Sequence, residues 1–125
     1  MTRAGSTSSH TYGLLAALPV RIESYDLEAL FYVAPTGWTR HTTVFQLHGS
    51  GVTGLGEDVC WNDDEQLHQR QVGPVLDLAG DWTLASFSSH LETLDLLYGR
   101  TPRFEVYRHY RRWALESAAL DLALR

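Results

Sequence analysis

The side chains best suited to metal binding or to acid, base and nucleophile work at neutral pH are scarce and scattered in this 125-residue chain. His10 lies in the polar start of the sequence. His41 and His48 are seven apart, which places them on opposite faces of a strand. Asp64 with His68, and Glu105 with His109, are four apart and side by side on a helix, but no third ligand converges on either pair. Both therefore read as solvated pairs. His90-Leu91-Glu92 has the spacing of a zinc deaminase fragment, yet the downstream Cys pair of that signature is absent. Cys60 is alone, which excludes an internal disulfide and a Cys-rich zinc site. It reads as a packed cysteine. No serine stands in a Gly-x-Ser-x-Gly turn, and Gly54-x-Gly56 lacks the third glycine of a dinucleotide fingerprint. All ten basic residues are Arg, so a Schiff base, a P-loop lysine and a lysine general base are excluded within this chain. Taken together, these residues predict no catalytic residue and no metal ligand here.

The elements around them follow from patterning. The length fits one domain, and 44% apolar with 20% charged residues fits a globular core. A formal charge of −5 disfavours a nucleic-acid binder, and no apolar run is long enough for a membrane span. The mildly apolar Gly13–Val20 has only Arg3 before it and no small-x-small cleavage pattern after it. It does not read as a signal peptide, and with one cysteine a reducing cytoplasm is expected. Residues 1–16 are expected to be a flexible tail and 17–125 the domain. Ala17–Leu27 reads as a first strand, and Glu28–Thr39 as an aromatic loop around Pro35-Thr36-Gly37. Arg40–His48 and Val52–Val59 form a hairpin across Gly49-Ser50-Gly51. Gly54 and Gly56 in the second of these strands suggest a bulge or a close approach by another backbone.

Three helices are expected after the strands. The first starts near Asp64, with Asn62, Asp63 and Asp64 offering an N-cap, and is interrupted at Gly73-Pro74. The second is capped by Asp81, carries Leu84, Phe87, Leu91, Leu94 and Tyr98, and ends at Gly99. The third starts at Thr101-Pro102 and runs to the last residue. Arg100, Arg103, Arg108, Arg111 and Arg112 read as a solvated face with pairs such as Glu105–Arg108 and Arg112–Glu116. From Trp113 to Leu124 the third helix is apolar on nearly every side, so it is expected to need more cover than the rest of the chain offers. That predicts a chain cut inside a helix, prone to self-association, or else a homo-oligomer.

Gly51-Val-Thr-Gly-Leu-Gly-Glu57, Leu76-x-x-x-Gly80-Asp81 and the closing Ala114-Leu-Glu-Ser-Ala-Ala-Leu-Asp-Leu-Ala-Leu124 occur in order between Pro19 and Arg125. With the extended first strand and the hairpin, they resemble the N-terminal capping domain of the enolase superfamily, in its mandelate racemase and muconate-lactonizing branch. Leu55 stands where caps of that family often carry Trp. The resemblance implies an α+β fold: a three-stranded antiparallel meander followed by a three-helix bundle. It also implies a missing C-terminal barrel that supplies a catalytic Lys or His and Mg²⁺ ligands and takes a small carboxylate substrate. The cap would close over that barrel and shape specificity without being catalytic alone. By the same resemblance, the substrate contacts would be Phe31, Tyr32 and Trp38 in the loop Ala29–Thr39, and Cys60, Trp61 and Asn62 after the glycine-glutamate motif. Glu57 is read as a structural carboxylate and not as a base. The alternative is a stand-alone domain that dimerises or binds a protein through its last helix.

Overall fold

The computed structural model describes residues 13–125; residues 1–12, most of the expected tail, lie outside the described residues. Residues 13–16 form a helical turn. The fold is α+β, with a three-stranded antiparallel sheet and three helices, as the sequence predicts. Strand β1 is Pro19–Ile22, β2 Ser24–Val33, β3 Thr39–Gly49 and β4 Val52–Asp58. Helix α1 is Asp63–Val72, strand β5 Gly80–Thr83, helix α2 Leu84–Leu91 and helix α3 Val106–Ala123.

The expected first strand is broken at Glu23, whose N–H donates to the His48 carbonyl. Its first half, β1, pairs with β5 in a separate two-stranded sheet, with Val20 opposite Trp82. Its second half, β2, pairs with β3, which pairs with β4. The β3–β4 turn is Ser50-Gly51, both at positive φ (52° and 78°), the conformation that matches the twist of a two-residue hairpin. The side chains of Thr43, Phe45 and Leu47 alternate onto one face of β3 and are buried; this face carries α1 and α3. The core joins Phe45 and Leu47 with Val20, Ile22, Phe87, Leu91, Leu115 and Leu122.

The two strand glycines answer to a close approach. A Cβ on Gly56 would stand 1.9 Å from the Ala114 carbonyl oxygen, and one on Gly54 would stand 2.3 Å from that of Ala118. Glycine on β4 and alanine on α3 let the two backbones meet, which is why Ala114, Ala118 and Ala119 are fully enclosed. This corrects the expectation of an uncovered closing helix. Its apolar turns are filled from within the chain by β4, β1 and α2, leaving Trp113, Ser117 and Leu124 as an exposed and mixed stripe.

Three other boundaries differ from expectation. Residues 80–83 form a strand, and Thr83 rather than Asp81 caps α2. Its Oγ1 accepts from the Ser86 N–H (3.1 Å) while the Ser86 hydroxyl accepts from the Thr83 N–H (2.9 Å). Helix α2 stops at Leu91, not Tyr98, because the Asp95 carboxylate draws in the N–H groups of Leu97 and Gly99, and Tyr98 takes a positive φ of 53°. Helix α3 begins at Val106, after a turn over the Pro102 segment. No helix among the described residues is long and apolar enough to cross a membrane.

Candidate functional site

The expected aromatic loop is mostly a strand. Strand β2 continues to Val33 in register with β3, pairing Phe31 with His41 and Tyr32 with Arg40. Only residues 34–38 turn, closed by the Ala34 N–H on the Trp38 carbonyl (2.7 Å), with Gly37 at φ 89°. Apolar residues on both sides of β2 hid its period of two from the sequence. The outcome is a hairpin arm that leaves the body beyond Leu27 and carries Leu30 and Tyr32 on one face and Phe31 and Val33 on the other. It is bare: 72% of Phe31, 61% of Tyr32 and 53% of Trp38 are exposed.

The arm forms an open cavity of about 450 Å³ with the end of β4, lined by Leu30, Phe31, Tyr32, Arg40, Thr42, Glu57 and Val59. Its floor is held by short polar links. The Thr42 hydroxyl donates to Glu57 (2.6 Å), and Arg40 Nη2 donates to the Val59 carbonyl (3.0 Å). Glu57 thus ties two strands together. Such a cavity can hold an apolar or aromatic group and place polar groups at its rim.

The second group of expected contacts separates. Trp61 is half-exposed and packs edge-on against Tyr107 (ring centroids 5.2 Å apart) and Tyr110 (5.7 Å). It lines a shallow second concavity with Asn62, Asp63, Asp64, Arg103, Phe104 and Tyr107. The Asn62 side-chain oxygen accepts from the Glu65 N–H (3.2 Å) and so caps α1. Cys60 lies wholly inside the chain, and burial pushes its thiol up to about 11, against the opposing Asn62 backbone N–H. Its sulfur reaches no surface, which removes it from the expected contacts. Phe31 and Tyr32 share one concavity, Trp61 and Asn62 another, and Trp38 stands at the tip of the arm.

Beneath both concavities lies a polar cluster that the sequence did not disclose. Asp58 and Arg111 are fully buried and paired (Nε to Oδ2, 2.9 Å). Arg111 also donates to the Leu96 carbonyl (2.8 Å) and to that of Glu65 (3.3 Å). Gln69 Nε2 and the Cys60 N–H share the Asp58 carboxylate (3.3 and 3.1 Å). Gln66 accepts from the Thr43 hydroxyl (2.7 Å) and donates to the Asp58 and Cys60 carbonyls (both 3.0 Å). Glu65, also buried, meets Arg100 at 3.1 Å. These bonds fix α1 and α3 to the end of β4. The expected solvated arginine face is therefore only partly so. Arg108 with Glu105 and Arg112 with Glu116 pair on the outside as the spacing predicts. Arg111 instead points inward, in line with Tyr107 and Leu115, and that four-residue spacing was the available signal.

The histidines follow their neighbours rather than a ligand set. His109 stacks on Trp113 (6.0 Å), His90 on Trp82 (4.5 Å), and the His68 ring meets Tyr98 (6.0 Å). Among the described residues, no group of three or more His, Cys, Asp or Glu is placed to hold a metal ion. The Mg²⁺ implied by the family resemblance therefore finds no ligand set in them.

A family model described as "Domain of unknown function (DUF8230) N-terminal domain" matches residues 13–125, and the chain belongs to that family. No curated protein and no solved structure matches it.

Proposed function

From the sequence resemblance, we propose that the chain is the substrate-capping and specificity domain of a cytoplasmic, Mg²⁺-dependent enolase-superfamily lyase or isomerase. Such an enzyme abstracts a proton next to a carboxylate, and the base and the metal would belong to a C-terminal barrel. The observation that carries the reading is the hairpin arm. It holds Phe31, Tyr32, Val33 and Trp38 out from the body, and nothing within the described residues covers them. An aromatic flap of this kind suits a domain that shuts a reacting carboxylate away from water without adding charge. Two further features support it: the family is described as an N-terminal domain, and the end of β4 joins the arm in lining one cavity. The closing helix is largely covered from within, which weakens the alternative of a domain that associates through that helix.

The test has two parts. The reading frame beyond Arg125 is expected to encode a barrel with a Lys-x-Lys strand and spaced Asp and Glu ligands. The full-length product is expected to exchange the α-proton of some carboxylates with D₂O in a Mg²⁺-dependent manner. Phe31→Ala and Trp38→Ala should then lower kcat/KM for the preferred carboxylate about tenfold and flatten its preference over smaller ones. A stop codon after Arg125, or a full-length protein without such exchange across a broad carboxylate panel, would overturn the reading.

A further inference from the structure

At its root the arm is bonded through both of its strands by one side chain of α1. Arg70, in the last turn of α1, lies half-buried against the β2–β3 pair. Its Nη2 donates to the Leu30 carbonyl on β2 (3.1 Å) and to the Thr42 carbonyl on β3. Its Nε reaches the Thr43 hydroxyl and its Nη1 the His41 ring nitrogen Nδ1, both at 3.4 Å. Leu30 and Thr42 are direct partners in the ladder. They also stand at the boundary of the fold. Thr42 to Phe45 are buried on the body side, whereas Phe31 to Val33 are exposed on the tip side. The rigid guanidinium plane spreads its contacts over three nitrogens, Nη2 on the two carbonyls and Nε and Nη1 on Thr43 and His41, a reach that a single ammonium does not have.

We propose that Arg70 is the positioning residue of the hairpin arm: it clamps both strands where they leave the body and so sets the direction in which Phe31, Tyr32 and Trp38 are presented to a substrate. The ladder bonds between β2 and β3 hold the two strands to each other, but they do not fix the pair against α1. At Thr43 the hydroxyl bond to Gln66 (2.7 Å) helps to do so, and on the tip side of Thr43, Arg70 supplies that link through Leu30, Thr42 and His41. The specificity consequence rests on the capping function proposed above, and the clamp itself does not.

Hydrogen–deuterium exchange on this chain tests the clamp without any substrate. In Arg70→Met, the amides of residues 31–33 and 39–41 are expected to exchange roughly tenfold faster, while those of Phe45, Leu47 and α3 stay within about twofold of wild type. Arg70→Lys, which keeps the charge but gathers its donors on one nitrogen and gives up the contacts of Nε and Nη1, should fall between the two. Equal acceleration of arm and core, loss of folding in both variants, or no change in the arm would each overturn the clamp. In the full-length protein, Arg70→Lys is expected to raise KM several-fold with kcat nearly unchanged, and to blur discrimination among carboxylates differing in bulk. A looser arm with unaltered discrimination would overturn the specificity role. Absence of proton exchange in the unsubstituted full-length protein would instead remove the capping function and leave the exchange result on Arg70 standing.

Discussion

Strand β3 passes through two environments. From Thr43 to Leu47 it is enclosed by α1, α3 and both neighbouring strands, and every side chain but Gln46 is buried. From Thr39 to His41 it keeps its pairing with β2 but loses the helices, and its surroundings open to solvent. The ladder with β2 runs through both halves, whereas the ladder with β4 covers only Thr43 to Gly49. Burial separates the two halves further. Apolar area taken from water contributes roughly 25 cal/mol per Å², a gain the body half collects and Phe31, Tyr32 and Trp38 largely forgo. Side chains held out at that cost to stability are available to something else.

Substitutions on the two sides should therefore differ sharply. The largest loss is expected for Arg111→Leu, which strands the buried Asp58 carboxylate; breaking a buried pair costs about 3–5 kcal/mol. Urea denaturation should show it, and a loss below about 1 kcal/mol would mean that the pair behaves as a surface one. Gly56→Ala comes next, because its Cβ would meet the α3 backbone and not a flexible side chain. A loss of about 3 kcal/mol is expected from such overpacking. Unchanged stability would show that β4 and α3 do not touch there.

On the arm, Phe31→Ser should leave the denaturation midpoint nearly in place, within about 0.5 kcal/mol, as exposed positions do. A large loss would place Phe31 in the core and remove the contrast between the two halves. A pH series sharpens the same contrast. The buried Cys60 thiol and the Tyr25 and Tyr98 hydroxyls titrate higher in the folded chain than in the unfolded one, chiefly through burial. The unfolded chain thus gives up its protons first. Stability is unaffected by these groups below about pH 8, and falls as the pH rises toward 11 and beyond. Cys60→Ala should remove the earliest part of that fall. Phe31→Ser, which changes no titrating group, should leave the slope alone.

The meander, the N-cap region of α1 and the long closing helix were legible because each rests on local signals: alternation in Thr43–Leu47, the Ser50-Gly51 turn, Asn62 before an acidic first turn, and helical spacing from Tyr107 to Leu122. The arm was not, because residues apolar on both faces show no period, and the turn signal at Pro35-Thr36-Gly37 outweighed the strand leading to it. Strand β5 was missed because Asp81 is a plausible helix cap by residue type, whereas only its pairing partner β1, sixty residues earlier, makes it a strand. Of the expected contacts, the aromatic ones were placed on the surface. Cys60 and Asn62 were implied by the same resemblance; the structure encloses Cys60 and has Asn62 cap α1.

The amino-acid sequence alone determined the α+β class and the chemistry excluded by a chain without lysine and with a single cysteine. These follow from residue identity and spacing, which no fold can alter. The tertiary structure decided which arginine is buried, which helix covers which strand, and that the aromatic segment projects as an arm. Those outcomes depend on groups far apart in sequence: Asp58 with Arg111, Gly56 with Ala114, and Leu30 with Arg70. Their energies come from desolvation and close packing between elements, and neither acts until the chain has brought those elements together.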